Sequence, residues 1–261
     1  MTACSNGSAD PGVRAESTFR FYAELNDFLA PEQRRRSFRH AFDGAPSVKD
    51  RIESLGVPHT EVDLVLVDGR PASFDHRLHG GERVAVYPVF EAFDVGPVSR
   101  LRPRPLRGPR FILDVHLGRL AGYLRALGFD CLYANDFSDA YIIATALEAH
   151  RIILTRDTGI LKDGRVTHGA FVHATAPLKQ LREIVDRFQL DRLFAPFSRC
   201  IRCNGAIAAV SAESLGPGEV PAGVLEDFDA FSRCTECGQV YWPGSHFDRL
   251  RARFRSVGIE T

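Results

Sequence analysis

Hydrophobic positions in residues 18–93 recur mainly with period two, broken once by a helical stripe. Thr18-Phe-Arg-Phe-Tyr-Ala-Glu-Leu25 alternates as a half-buried strand does. Ser47 opens a short helix: Asp50 stands at capping-box spacing, Val48, Ile52 and Leu55 share one face, and Gly56 ends it. Residues 62–68 and 83–88 are two more strands, the first turned by Gly69. The pattern predicts a small α+β unit.

From Phe111 the period alternates between strand and helix. Phe111-Ile-Leu-Asp114 is a strand, and Leu117, Leu120, Ala121, Leu124 and Leu127 then fall at helical spacing before Gly128. Residues 129–133 form a short second strand. A helix over 140–150 turns Ile142, Ile143, Ala146 and Leu147 inward. Residues 151–155 are nearly all apolar, as in a strand covered on both faces. Residues 171–174 supply a fourth strand, and a helix over 177–188 carries Leu181, Ile184, Val185 and Phe188. This β-α-β-α-β series predicts a doubly wound parallel sheet.

Charge changes the picture only locally. The formal net charge is zero, yet residues 97–197 carry 15 Lys and Arg against 10 Asp and Glu. Arg100, Arg102, Arg104, Arg107 and Arg110 precede the Phe111 strand with no acid among them, in a Gly- and Pro-rich stretch. That stretch reads either as a polyanion contact or as a solvated linker. Arg34, Arg35, Arg36 and Arg39 form a second cluster, expected on a solvated face. No apolar run approaches the ~20 residues of a membrane span. Residues 1–17 lack the basic start and apolar core of a secretory signal, so they are expected to be a disordered tail of a cytoplasmic protein.

Both long strands end on acids, Asp114 and Asp157, and Asn135-Asp136-Phe-Ser-Asp139 lies between them. Ligands of open parallel sheets bind outside the carboxyl ends of the strands. Carboxylates crowded there call for a hard cation, Mg²⁺ or Mn²⁺, and that combination suits phosphodiester hydrolysis. There is no GxSxG elbow, GxGxxG turn or Walker loop.

Cys200-Ile-Arg-Cys203-Asn and Cys234-Thr-Glu-Cys237-Gly are two CxxC knuckles 30 residues apart. Two such turns complete a tetrahedral, closed Zn²⁺ site of structural type. Cys4 and Cys131 have no partner at ligand spacing, and Cys131 is expected to be a small buried apolar residue.

Two resemblances follow. Asp68-Gly-Arg70 with Gly81-Glu-Arg-Val-Ala-Val-Tyr-Pro88 resembles β-grasp sulfur-carrier and ubiquitin-like proteins. Those carriers end in Gly-Gly, whereas this chain runs on through Val89, so a docking or RNA-positioning role replaces the carrier role, with a purely structural appendage as the alternative. Residues 111–130, Leu154-Thr-Arg-Asp157, and the two knuckles, the second continuing Gln-Val-Tyr-Trp242-Pro-Gly-Ser-His246, resemble the Mut-seven C-terminal (Mut7-C) RNase family. The resemblance implies a PIN-like nuclease fold with a zinc ribbon, preceded by the ubiquitin-like β-grasp unit. The implied division is a tail over 1–17, the β-grasp domain over 18–95, a basic linker over 96–110, the nuclease domain over 111–197 and the ribbon over 198–261.

It also implies a metal-dependent ribonuclease. Asp114, Asp139 and Asp157 are then the Mg²⁺ or Mn²⁺ ligands, Asp136 competes with or assists Asp139, and no clear fourth acid appears beyond Asp163 or Glu148. Arg156, Arg119 and Arg125 are candidates to hold phosphates, the last two alternatively in surface ion pairs. Trp242 and His246 are candidates to contact RNA, or alternatively to cap the zinc site. His116 is expected on the surface. The rival reading is a non-catalytic RNA- or ribosome-binding protein that keeps the fold, and a third is a toxin-like endonuclease. The RNA partner is open (tRNA and ribosomal RNA among the candidates), as is a protein partner for the β-grasp unit.

Overall fold

The computed structural model describes residues 14–88, 109–221 and 223–261. The tail over 1–13, the run over 89–94 and the linker over 96–108, with Arg100, Arg102, Arg104 and Arg107, lie outside the described residues. The chain divides into two compact units, Met1–Arg104 and Pro105–Thr261.

In the first unit, β1 (Ala15–Phe21), β2 (Phe38–Phe42), β3 (Val62–Val67), β4 (Arg70–Pro71) and β5 (Arg83–Pro88) form one sheet in the order β2-β1-β5-β3-β4. The central β1–β5 pair is parallel and the other pairs are antiparallel. Helix α1 (Val48–Ser54) places Val48 and Ile52 in one core with Phe19, Phe21, Val65 and Val86, giving a β-grasp architecture. Its capping box is complete: Asp50 N donates to Ser47 Oγ at 3.1 Å and Ser47 N to Asp50 Oδ2 at 3.2 Å. Gly56 has φ +104°, and a Cβ there would lie 2.7 Å from the Phe28 carbonyl oxygen, so the helix can end only on glycine.

Two expectations for this unit are corrected, and one strand is added. Residues 15–17, expected in the tail, belong to β1. The first strand stops at Phe21 rather than Leu25, because the Asn26 amide donates to the carbonyls of Phe21 (3.1 Å) and Ala23 (2.8 Å) and draws residues 23–28 into a 3-10 helix. Strand β2, absent from the predicted elements, pairs with β1 from Ala15 to Phe19.

In the second unit, β6 (Phe111–Leu113), β7 (Cys131–Leu132), β8 (Ile152–Thr155) and β9 (Gly169–Phe171) form a fully parallel sheet in the order β7-β6-β8-β9. Helices cover both faces. Phe111, Leu113, Ile152 and Leu154 pack against α2 (Gly118–Ala126) and α5 (Pro177–Arg187). Ile112 and Ile153 pack against α3 (Asp139–Glu148) and α4 (Thr158–Lys162). The sheet is thus doubly wound, and its switch point lies at the carboxyl ends of β6 and β8, where the chain turns first to β7 and then back to β8. Leu147, expected inward, is 38% exposed; α3 buries only Ile142, Ile143 and Ala146.

The C-terminal segment adds β10 (Ile207–Val210), β11 (Phe231–Cys234) and β12 (Val240–Tyr241) as an antiparallel sheet, with a short α6 (Val224–Asp227) and α7 (Ser245–Arg255). It is not a separate module. Phe254 of α7 and Ile259 are fully buried in the same core as α2 and α5, and Phe254 meets Tyr123 edge-on at 5.7 Å. Truncating a buried Phe of this kind costs roughly 3–5 kcal/mol.

Candidate functional site: a sheet edge and a four-cysteine cluster

Asp114 follows β6 and Asp157 follows β8, the two strands on either side of the switch point. Asp114 is 4% exposed. Its Oδ1 accepts from the His116 amide (2.7 Å), and its Oδ2 accepts from Thr155 Oγ1 (2.6 Å) and the Arg156 amide (3.2 Å). All three donors are neutral, and among the described residues no cation pairs with it. A buried carboxylate without a counter-ion is costly, and one acceptor position on Oδ1 stays open. Asp157 is exposed and caps α4, accepting from Gly159 N at 2.6 Å. Asp139 is the exposed first residue of α3, whose N-cap is Ser138, and Asp136 is exposed just before it.

The three acids are not drawn into a tight ligand set. Among the described residues the only group of three or more ligand side chains with all donor atoms within 4.8 Å of one another is Cys200, Cys203, Cys234 and Cys237. Asp163 is paired with Arg165 at 2.8 Å, and Glu148 is exposed.

Beside Asp114 opens a cleft of about 410 Å³ lined by His116, Arg119, Tyr133, Thr175 and Gln180. Arg119 and His116 are exposed, as expected, and among the described residues the Arg119 guanidinium has no hydrogen-bond or ion-pair partner. Tyr133 forms the wall: its hydroxyl lies 3.0 Å from the Val115 carbonyl and 2.6 Å from Asn135 Oδ1. A Cβ at Gly118 would fall 2.5 Å from that hydroxyl, so the approach requires glycine.

Arg125 is neither a phosphate contact nor a surface ion pair: it is buried, donating to the carbonyls of Cys131 (2.9 Å), Ile201 (3.1 Å) and Arg202 (3.1 Å). Arg156 spends one guanidinium nitrogen on the carbonyls of Val172, His173 and Ala174, at 3.0, 3.0 and 2.6 Å. Glu183 accepts the His173 and Ala174 amides at 2.8 Å each, so the loop after β9 is held from two sides. Arg156 thus positions that loop through one of its guanidinium nitrogens.

The four cysteines could hold a metal ion such as zinc. The knuckles are built alike: Asn204 N donates to Cys200 O and Gly238 N to Cys234 O, while Cys200 N donates to Gly205 O and Cys234 N to Gln239 O. Asn204 and Gly238 both take left-handed backbone, φ 74° and 72°. The sulfurs of Cys200 and Cys237 lie 3.6 Å apart and those of Cys203 and Cys234 lie 3.4 Å apart. A tetrahedron with ~2.3 Å metal–sulfur bonds has an edge of about 3.8 Å, so the set fits with a small expansion. Burial raises the Cys200 thiol, but hydrogen bonds from the Tyr241 hydroxyl and from the neighbouring cysteines outweigh it, and the thiol is lowered to about 6. Cys203 is pushed up to about 12, by burial first and then by the facing thiols. Cys200 therefore forms its thiolate most readily, and Cys203 stays protonated until a cation compensates it.

Two residues near this cluster were missed in the sequence. Tyr241 lies 3.0 Å from Cys200 Sγ, and Asp130 accepts Arg151 on both oxygens, at 2.8 and 3.0 Å, and Asn204 Nδ2 at 2.7 Å. Cys131 is fully buried as expected, and burial pushes its thiol up. Trp242 and His246 line a cavity of about 750 Å³ on the cysteine-bearing segment.

Among the described residues no helix is long and apolar enough to cross a membrane. No curated protein matches the chain. Among solved structures, the small archaeal modifier protein 1 of H. volcanii is 22% identical, covering 28% of this chain and 97% of its own, with a TM-score of 0.24. Residues 14–94 match the Mut7-C ubiquitin model. Residues 109–254, more than half of the chain, match the Mut7-C RNAse domain model, and the protein belongs to that family.

Proposed function

We propose that the protein is a metal-dependent ribonuclease whose reaction centre lies at the switch point of the parallel sheet. The observation that carries the reading is Asp114, a carboxylate 4% exposed, held by three neutral donors and matched by no cation among the described residues. Such a group is stabilised by a hard divalent ion. Asp114 would hold Mg²⁺ or Mn²⁺, with Asp157 and Asp139 at the same rim completing the set and Asp136 beside Asp139. Magnesium keeps several waters and is often held by one or two carboxylates, so the looser spacing of these acids suits it. When bound, the ion would supply a water of lowered pKa and offset charge on the scissile phosphate.

The chain's own groups do the rest. Arg119, unpaired and exposed on the cleft, would bind a phosphate oxygen, and His116 stands beside it. Arg156 and Glu183 would keep the loop after β9 clear of the substrate path. The four cysteines would hold a structural Zn²⁺ that stays out of the reaction, since four thiolates close its coordination sphere. RNA is the substrate in this reading, and the β-grasp unit would recruit either RNA or a protein.

A second reading, a non-catalytic RNA- or ribosome-binding protein, is favoured by one observation: no three carboxylates gather within 4.8 Å among the described residues. Cleavage of single-stranded RNA and of tRNA with Mn²⁺ separates the two. The wild type should cut, and Asp114→Asn and Asp157→Asn should lose most of the rate. Equal rates in wild type and variants would remove the catalytic assignment, and binding without cleavage would favour the second reading. A zinc content well below one per chain would remove the structural metal.

A further inference from the structure

The cavity of about 750 Å³ on the cysteine-bearing segment lies outside the sheet-edge site. It falls within the roughly 300–1,000 Å³ of small-ligand pockets. Two strands of evidence come from its walls. Tyr241, Trp242 and Phe247 supply aromatic surface, Arg202 and Arg253 supply positive charge, His246 adds a ring, and no Asp or Glu lines it. Among the described residues the guanidiniums of Arg202 and Arg253 have no ion-pair or side-chain hydrogen-bond partner. By contrast Arg249, on the same wall, is tied to Ser245 through its carbonyl (3.1 Å) and hydroxyl (3.3 Å).

Aromatic faces next to unpaired guanidiniums in an acid-free pocket are the chemistry that takes an unstacked base together with its phosphates. A folded protein partner would be expected to meet a flatter surface with acidic and basic groups mixed. The pocket is also braced. Tyr241 lines it and its hydroxyl reaches Cys200 Sγ at 3.0 Å, so one wall is anchored to the cysteine cluster. Phe247 is held by Phe197, ring centroids 4.0 Å apart. A preformed wall spares the ligand part of the ordering cost.

We infer that this cavity is a second nucleotide site, which captures one unpaired base and its flanking phosphates of single-stranded RNA, away from the sheet edge. It rests on the reading of the protein as one that acts on RNA, but not on catalysis. RNA held there would be anchored while a different part of the strand reaches Asp114.

The chain has one tryptophan, Trp242, so its fluorescence reports on this cavity alone. The test titrates the full-length protein with a 2′-O-methyl single-stranded oligonucleotide, which resists cleavage, and with the same strand in a duplex. Fluorescence anisotropy of a labelled strand follows total binding in parallel. The single strand should change Trp242 emission saturably and the duplex should not. Arg202→Gln with Arg253→Gln should weaken this binding by about tenfold or more, with metal content and far-ultraviolet dichroism unchanged. Asp114→Asn should leave the emission change intact. If anisotropy shows binding while Trp242 stays silent, or the double variant binds as wild type does, the cavity is not the site, although the protein still binds RNA. If neither signal moves, the inference fails together with the RNA reading. If emission changes but the wild type never cleaves, the site stands and only the catalytic assignment falls.

Discussion

Asn204 clasps Asp130 from the first cysteine knuckle: its side-chain amide donates to Asp130 Oδ1 at 2.7 Å, and its own Oδ1 accepts from the Cys131 amide at 2.9 Å. The same residue holds the left-handed backbone, φ 74°, that closes the knuckle. In the second knuckle Gly238 fills that position with no side chain to offer. The two roles separate by substitution. Asn204→Gly keeps the backbone but loses both bonds, one of them to a charged group, and should cost about 1.5–3 kcal/mol. Asn204→Ala should cost about 1–2 kcal/mol more, because a Cβ strains the left-handed turn. Denaturant unfolding of the metal-loaded protein measures both; equal losses would show that the backbone conformation is not what selects asparagine.

Arg125 makes the second link between the sheet and the knuckle, reaching the carbonyls of Cys131, Ile201 and Arg202. Arg125→Gln leaves buried carbonyl groups without donors and should destabilise the protein by about 2–4 kcal/mol. Below its melting range the variant should bind RNA as the wild type does. Arg119→Gln should do the reverse: stability should change by no more than about 0.5 kcal/mol, and the slope of log affinity against log salt should fall by about one. Melting curves and salt titrations on the two variants would expose an exchange of roles.

The difference between these two arginines shows where legibility ended. Strands and helices around Asp114 and Asp157 were readable, because β8 is four consecutive buried residues and α2 carries an unbroken apolar stripe. The paired CxxC units marked the cysteine cluster by spacing alone. Arg125 and Arg119 sit six residues apart on one helix, and no local pattern tells which one faces the knuckle, since its partners lie 76 and 77 residues on. Asp130 was opaque for the same reason: Arg151 and Asn204, which complete its shell, come from other elements. Strand β2 was hidden by its weak alternation and exposed edge. Phe254 and Ile259 could be assigned to the core of the parallel-sheet unit only once the tertiary fold was known.

Tyr241 extends the cysteine cluster outward. Burial, and then the Cys200 sulfur, push its phenol above the ordinary range, so it stays protonated and donates to the Cys200 thiolate at neutral pH. Removing such an outer partner typically lowers metal affinity 10–100-fold. Tyr241→Phe should therefore release zinc to a chromogenic chelator with an affinity about tenfold weaker, with one metal still bound at saturation. Unchanged affinity would show that the Tyr241–Cys200 contact does not stabilise the thiolate.

The β-grasp unit carries its own acid-sensitive latch. Burial raises the Glu82 carboxyl, but the Ser17 hydroxyl (2.6 Å) and the amides of His79 (2.6 Å) and Gly80 (2.9 Å) donate to it and hold it at about 2. A carboxyl depressed from its ordinary value of 4.5 stabilises the folded state fully above that value. The contribution is lost as pH falls from 4.5 towards about 2, because the unfolded chain takes up the proton first. Glu82 joins the turn before β5 to Ser17 in the middle of β1, so protonation should loosen the parallel β1–β5 pair. Hydrogen exchange at the Thr18 amide, which donates to the Glu82 carbonyl at 2.9 Å across this pair, followed through that window relative to its intrinsic rate, should accelerate in the wild type. In Glu82→Gln it should already be fast above pH 4.5 and change little on acidification. Parallel curves for the two proteins would mean that another carboxylate sets the acid response of this sheet.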